Sequence, residues 1–116
     1  MDLQKFDYII IGAGIAGLSS GQYGARAGLK TLIIDLSSGG GQALQIADLE
    51  NYPGAYPSVP GSGFIMNMLN QTTSFGAEIV QTQVLSIDKI HNKFIVETKN
   101  GSFESYALLI ATGAKH

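Results

Sequence analysis

The chain has 116 residues, a formal net charge of -2, 45% hydrophobic and 14% charged side chains; such a composition folds around one core and has no basic excess for a nucleic-acid backbone or an anionic membrane surface. It contains no cysteine, which excludes a disulfide framework and any thiolate metal site built from this chain. The longest apolar run, around Tyr8 to Ile11, is far below the roughly 18 residues of a membrane span, and Asp2 and Asp7 interrupt any leader peptide, so one cytoplasmic domain over 1–116 is the default expectation.

Phe6 to Ile11 is a nearly unbroken apolar, β-branched run ended by Gly12, the pattern of a strand buried on both faces of a parallel sheet. Ile15 to Ala27 reads as a helix, with Gly17, Gly21, Gly24 and Gly28 recurring along one face. An internal glycine costs a helix roughly 0.5–1 kcal/mol relative to alanine, so a stripe of them implies a very close neighbour, for which the sheet is the natural candidate. Thr31 to Ile34 is a second apolar strand, and the order strand, helix, strand predicts a right-handed βαβ unit.

From Leu36 to Pro60 no period is sustained. Ser37-Ser38-Gly39-Gly40-Gly41 and Tyr52-Pro53-Gly54 lie there, while Leu44, Ile46, Leu49, Tyr52 and Tyr56 supply apolar anchors that favour an ordered lid over a loose linker. Gly63 to Phe75 predicts a helix with Phe64, Met68 and Phe75 near one face and Ser62 as a cap. Ala77 to Val80 is a short strand. Val84 to Ile90, Lys93 to Lys99 and Ser102 to Tyr106 alternate as an antiparallel meander, with Asn100-Gly101 expected to form a type I′ hairpin turn in which both residues take positive φ. Ala107 to Ala111 closes the set as another buried strand running into Thr112-Gly113. The fold class is therefore α/β, a Rossmann-like FAD/NAD(P)-binding domain with a parallel sheet and a small antiparallel β-meander.

The chemistry centres on Gly12-Ala13-Gly14-Ile15-Ala16-Gly17, at the junction of a predicted strand and helix. In this context Gly12 permits the tight turn, Gly14 keeps a side chain out of the path of a pyrophosphate, and Gly17 lets helix and strand pack closely. The helix N-terminus then faces the anion with unpaired N–H groups and the positive end of its dipole. Asp35 ends the second strand about 20 residues beyond the glycines, where an acid accepts hydrogen bonds from ribose hydroxyls and repels a 2′-phosphate. That favours FAD or NAD(H) over NADP(H), and the glycines alone do not choose between the two. Thr112-Gly113 follows a strand at the end of the sheet where open α/β folds bind ligands.

Three further stretches carry a family resemblance. Gly40-Gly41-Gln42, Leu49-Glu50-Asn51-Tyr52-Pro53-Gly54 and Ala111-Thr112-Gly113-Ala114 occur in the order and at the intervals of the thioredoxin reductase family. From Asp7 to Lys115 the chain resembles the first segment of that family's FAD domain. The resemblance implies that the Gly-Gly-Gln loop follows the ribityl chain and flavin, that Asn51 hydrogen-bonds near the flavin, that the Ala-Thr-Gly turn passes the pyrophosphate side, and that the Val84 backbone meets the adenine. The expected cofactor contacts are thus Gly12, Gly14, Ile15, Ala16, Gly17, Asp35, Gly40, Gly41, Gln42, Asn51, Val84, Ala111, Thr112 and Gly113. Glycines there allow amides to approach a flat ring, and the Gln42 and Asn51 amides both donate and accept.

For the parent, the resemblance implies electron transfer from NADPH through FAD to a Cys-X-X-Cys pair that reduces thioredoxin or a similar protein disulfide, in a homodimer. In that family the NADPH domain is inserted after the Ala-Thr-Gly strand. A chain ending at His116 is accordingly expected to be a fragment with part of a flavin site, no catalytic residues and no turnover. The open alternatives are a ferredoxin-reducing or peroxiredoxin-reducing relative, an NAD-dependent dehydrogenase, and a non-catalytic binding module. His91 and His116 have no metal-ligand company, Asp48 and Glu50 read as a polar loop face, and Met66 and Met68 read as core.

Overall fold

In the computed structural model, described for residues 3–36 and 61–112, the secondary elements are β1 (Gln4–Lys5), β2 (Tyr8–Ile11), α1 (Ile15–Arg26), β3 (Thr31–Asp35), α2 (Gly61–Ser74), β4 (Glu78–Gln81), β5 (Val84–Ile90), β6 (Lys93–Thr98), β7 (Gly101–Ser105) and β8 (Ala107–Ile110). Strands β4, β3, β2 and β8 form a parallel sheet in that order. Strands β5, β6 and β7 form the antiparallel meander, and the two-residue β1 joins it in parallel beside β7. The α/β class and the meander are as the sequence predicts. The expected lid, with Gly40, Gly41, Gln42 and Asn51, lies outside the described residues, as does Gly113.

The alternation of β2 and β3 explains the three layers. Side chains of successive strand residues point to opposite faces. Ile9, Ile11, Leu32 and Ile34 point to one side and bury against Phe6, Val96 and Phe103 of the meander layer. Ile10 and Ile33 point to the other and pack with Ala13, Leu18 and Met68 on the helix side. Each strand therefore needs apolar residues at every position, which is the source of the Tyr8-Ile9-Ile10-Ile11 run. Met68 joins the core, whereas Phe75 lies just beyond α2, 43% exposed, beneath the Arg26 guanidinium.

The glycines of α1 have more than one cause. A Cβ at Gly17 would overlap the carbonyl oxygen of Gly12, and one at Gly21 or Gly24 would press on Ile33 or on Thr31 and Tyr8, so these three do face close neighbours. Gly28 does not belong to that stripe. It follows the C-cap Ala27 with φ +86° and open space at its Cβ position, so its job is to end the helix in a left-handed conformation.

The Asn100-Gly101 turn also differs from expectation. Thr98 pairs with Gly101, which makes Lys99 and Asn100 the loop residues, and of these neither has positive φ. His91, in the β5–β6 turn, is the one non-glycine with positive φ among the described residues. The reason is side-chain competition for the backbone. The Thr98 hydroxyl donates to the Gly101 carbonyl (2.7 Å) and accepts from the Asn100 N–H (3.1 Å), holding the turn in a geometry that an isolated Asn-Gly pair would not choose.

Candidate functional site

A cleft of about 280 Å³ opens where the parallel strands end, near the lower end of the roughly 300–1,000 Å³ usual for small-molecule sites. Each strand contributes the residues at or just past its carboxyl end: Ile11 and Gly12 from β2, Ile34, Asp35 and Leu36 from β3, Thr82, Gln83 and Val84 beyond β4, and Thr112 beyond β8. This is the side on which open α/β sheets bind ligands, because helix N-termini and connecting loops converge there.

Gly12 makes the convergence possible. Its N–H donates to the Ile34 carbonyl (2.7 Å), and its φ of +108° is a conformation L side chains rarely adopt. A Cβ here would overlap the Ala111 carbonyl oxygen and stand 2.9 Å from the Thr112 Cα. The turn after β2 and the segment after β8 are thus in direct backbone contact, and the Ala111 N–H donates to the Ile11 carbonyl (2.7 Å). Two motifs about 100 residues apart in the chain meet at one point, as the parallel topology requires.

Gly14 is the N-cap of α1, with an extended backbone (φ -74°, ψ -172°) and no side-chain cap. The first turn, from Ile15 through Ala16 and Gly17, contains no acidic residue. Its leading N–H groups therefore lack the intrahelical partners that later ones have, and no acidic side chain of the turn itself offsets the positive end of the dipole. Among the described residues, a Cβ at Gly14 would meet nothing within 4 Å. Gly14 thus presents no side chain at the helix start, and the described residues leave room beside it.

Asp35 connects the two halves of this arrangement. Its Oδ1 accepts from the backbone N–H of Ala13 at 3.0 Å, so the carboxylate holds the glycine turn against the end of β3 while lining the cleft. Ala13 is fully buried, and a buried amide without an acceptor would cost about 1–3 kcal/mol. Val84 opens β5 at the cleft wall and packs partly on the core of the meander side.

Of the fourteen expected contacts, Gly12, Asp35, Val84 and Thr112 line the cleft, Ala111 abuts Gly12, and Gly14, Ile15, Ala16 and Gly17 form the adjoining helix start. Thr82 and Gln83 line the cleft as well and were not singled out by the sequence. The signal was available in the rule itself: residues following every parallel strand share one end of the sheet, and β4 is such a strand. Among the described residues there is no group of His, Asp or Glu able to hold a metal ion, and no helix long and apolar enough to cross a membrane.

A profile of the pyridine nucleotide-disulphide oxidoreductase family matches residues 6–116. The chain is 44% identical over 111 residues to the thioredoxin reductase of Treponema pallidum, covering 96% of this chain and 36% of that protein. It is 37% identical over 111 residues to the thioredoxin reductase of Listeria monocytogenes, covering 96% and 34% respectively. Among solved structures, a thioredoxin reductase from Gloeobacter violaceus superposes with a TM-score of 0.91 at 33% identity, over 99% of this chain and 39% of that one. That from Streptococcus pyogenes does so at 0.91 and 35% identity, over 99% and 37%. The chain therefore spans little more than a third of the length of the relatives it resembles.

Proposed function

The chain belongs to the pyridine nucleotide-disulphide oxidoreductase family, and from that membership we propose that it forms the FAD-binding part of a thioredoxin reductase-like flavoprotein. In the whole protein electrons would pass from NADPH through FAD to a dithiol–disulfide pair, with thioredoxin or a similar protein disulfide as acceptor and a homodimer in the cytoplasm as the working form. The domain assignment for 1–116 follows the same reading.

One observation carries the proposal. The uncapped start of α1, the room that the described residues leave beside Gly14 and the Asp35 carboxylate lie at one end of a parallel sheet, with Thr112 brought against Gly12. In this reading the amides of Ile15, Ala16 and Gly17 stabilise the pyrophosphate, Gly14 lets it approach, and Asp35 accepts from the ribose hydroxyls. The Val84 backbone meets the adenine and Ala111, Thr112 and Gly113 flank the diphosphate. Gly40, Gly41, Gln42 and Asn51 are assigned to the flavin end on sequence resemblance. Bound FAD would supply a ring that takes up a hydride and returns electrons singly or in pairs. The residues named bind and orient the cofactor, and none of them is assigned a proton or electron transfer.

Titration of the purified chain with FAD and, separately, with NADH, followed by flavin quenching and nicotinamide fluorescence, tests the assignment. Saturable FAD binding with weaker NADH binding is expected. Tight NADH binding with none for FAD would point instead to a dehydrogenase nucleotide domain and overturn the proposal.

Asp35→Asn separates the two roles of the carboxylate. The asparagine oxygen still accepts from Ala13, so unfolding free energy should change by less than about 1 kcal/mol. The charge that favours ribose hydroxyls is lost, and FAD affinity should fall roughly tenfold, the equivalent of about 1.4 kcal/mol. Isothermal calorimetry alongside urea unfolding reads both quantities.

A further inference from the structure

The stretch between β4 and β5 supplies part of the cleft wall, yet most of what holds it in place comes from a hairpin turn that does not line the cleft. Thr82 is 6% exposed. Its N–H donates to the Asp35 carbonyl (2.8 Å), which ties it to the end of β3. Its hydroxyl donates to Oδ1 of Asn100 in the β6–β7 turn, at 2.5 Å and across 18 residues of sequence. The carbonyl of Gln83 accepts from the Lys99 N–H of the same turn (3.1 Å). Thr98, which pairs with Val84 across the ladder, fixes the turn itself through its bonds to Asn100 and Gly101.

These bonds have a directional consequence. A trans peptide holds C=O and N–H on opposite sides of its plane. With the Gln83 carbonyl turned to Lys99, the Val84 N–H points away from the hairpin. The register of β5 also shifts between Val84 and Ser86, so the ladder by itself does not enforce this orientation further along the strand. The Thr82–Asn100 bond is the side-chain contact that clamps the segment from its other end.

We propose that Thr82 and Asn100 act as a strut that positions the Thr82–Val84 backbone, so that a turn outside the cleft sets the preference for adenine inside it. The inference rests on the reading of this cleft as the adenosine end of a FAD site. Backbone groups held at fixed angles discriminate between purines because adenine presents a donor at N6 where guanine presents an acceptor at O6. A loosened backbone can turn to suit either pattern and loses the distinction. Asn100 is a positioning residue in this scheme, with no contact to the ligand.

The test compares ADP and GDP binding by calorimetry to the full chain and to Thr82→Val, Thr82→Ser, Asn100→Ala and Asn100→Asp, at a temperature where circular dichroism shows each folded. Valine and alanine break the strut from opposite ends, while serine keeps the donor and aspartate keeps the acceptor. ADP affinity should fall roughly three- to tenfold in Thr82→Val and in Asn100→Ala, the size of one lost hydrogen bond. GDP affinity should stay near that of the parent chain, and Thr82→Ser and Asn100→Asp should retain the parent's ADP preference. A purely structural role would lower the melting temperature and leave the ADP-to-GDP ratio unchanged, and that result overturns the inference. Failure of serine and aspartate to preserve the ratio overturns it too. A parent chain that binds neither nucleotide removes the FAD reading and this inference with it, whereas binding with an unaltered ratio in the variants removes this inference alone.

Discussion

Gly14→Val should weaken FAD binding by at least about 100-fold, or roughly 2.7 kcal/mol, while leaving the chain folded. The backbone at this position is extended and an added Cβ would meet none of the described residues within 4 Å, so the fold has room at the branch point of the new side chain. The one folded-state penalty is that valine is a poorer N-cap than glycine, about 1 kcal/mol, partly offset by the reduced freedom of the unfolded chain. An isopropyl group there would stand in front of the first amides of α1, where the pyrophosphate is proposed to lie. Flavin fluorescence titration, with a urea unfolding curve as control, measures the effect. FAD affinity within a few-fold of the parent chain would remove the glycine turn from the site.

Gly17→Ala should do the opposite. Helix propensity alone favours alanine by about 1 kcal/mol, which would make the substitution stabilising. The Cβ, however, would overlap the carbonyl oxygen of Gly12, a backbone atom of the turn that closes on Ala111 and Thr112. Relieving the overlap requires moving α1 off β2, and the expected loss is about 3 kcal/mol or more, a large share of the 5–15 kcal/mol typical of a domain. Gly21→Ala is the informative comparison. Its Cβ would press on the tip of Ile33 and on Thr72 Cγ2, both side-chain atoms that can yield, so a smaller loss is expected there. Urea midpoints for the two variants give the ranking. A Gly17→Ala chain as stable as its parent would mean that helix and strand are not packed backbone to backbone.

These two neighbours in one motif thus divide between recognition and packing, a division that sequence spacing implied and the geometry around each Cβ makes concrete. Gly28 shows the limit of spacing as a guide. Its spacing continues the series of Gly17, Gly21 and Gly24, but it lies beyond the C-cap Ala27 and serves the helix end, because at φ +86° the constraint is conformational. Asn100-Gly101 is the second such case. A strong hairpin dipeptide was overruled by the Thr98 hydroxyl and by a partner in another part of the chain, Thr82.

The sequence by itself determined the strands and helices whose apolar periods are local, the glycine turn at a strand–helix junction, and the acid at the end of the following strand. These features depend on hydrogen bonds and side-chain directions within a few residues of each other, so pattern reveals them. Only the tertiary structure decided that the two-residue β1 pairs with β7, that Gly12 touches Ala111, that Asp35 holds the Ala13 amide, and that Thr82 and Gln83 line the cleft braced by a distant turn. Each of those contacts joins residues 18 to about 100 positions apart: the contacts of Gly12 and Asp35 exist because four parallel strands place their carboxyl ends side by side, whereas the β1–β7 pairing and the Thr82–Asn100 bond involve the second sheet. No local pattern encodes which partner a side chain will find across that distance; the order of strands in the sheet does.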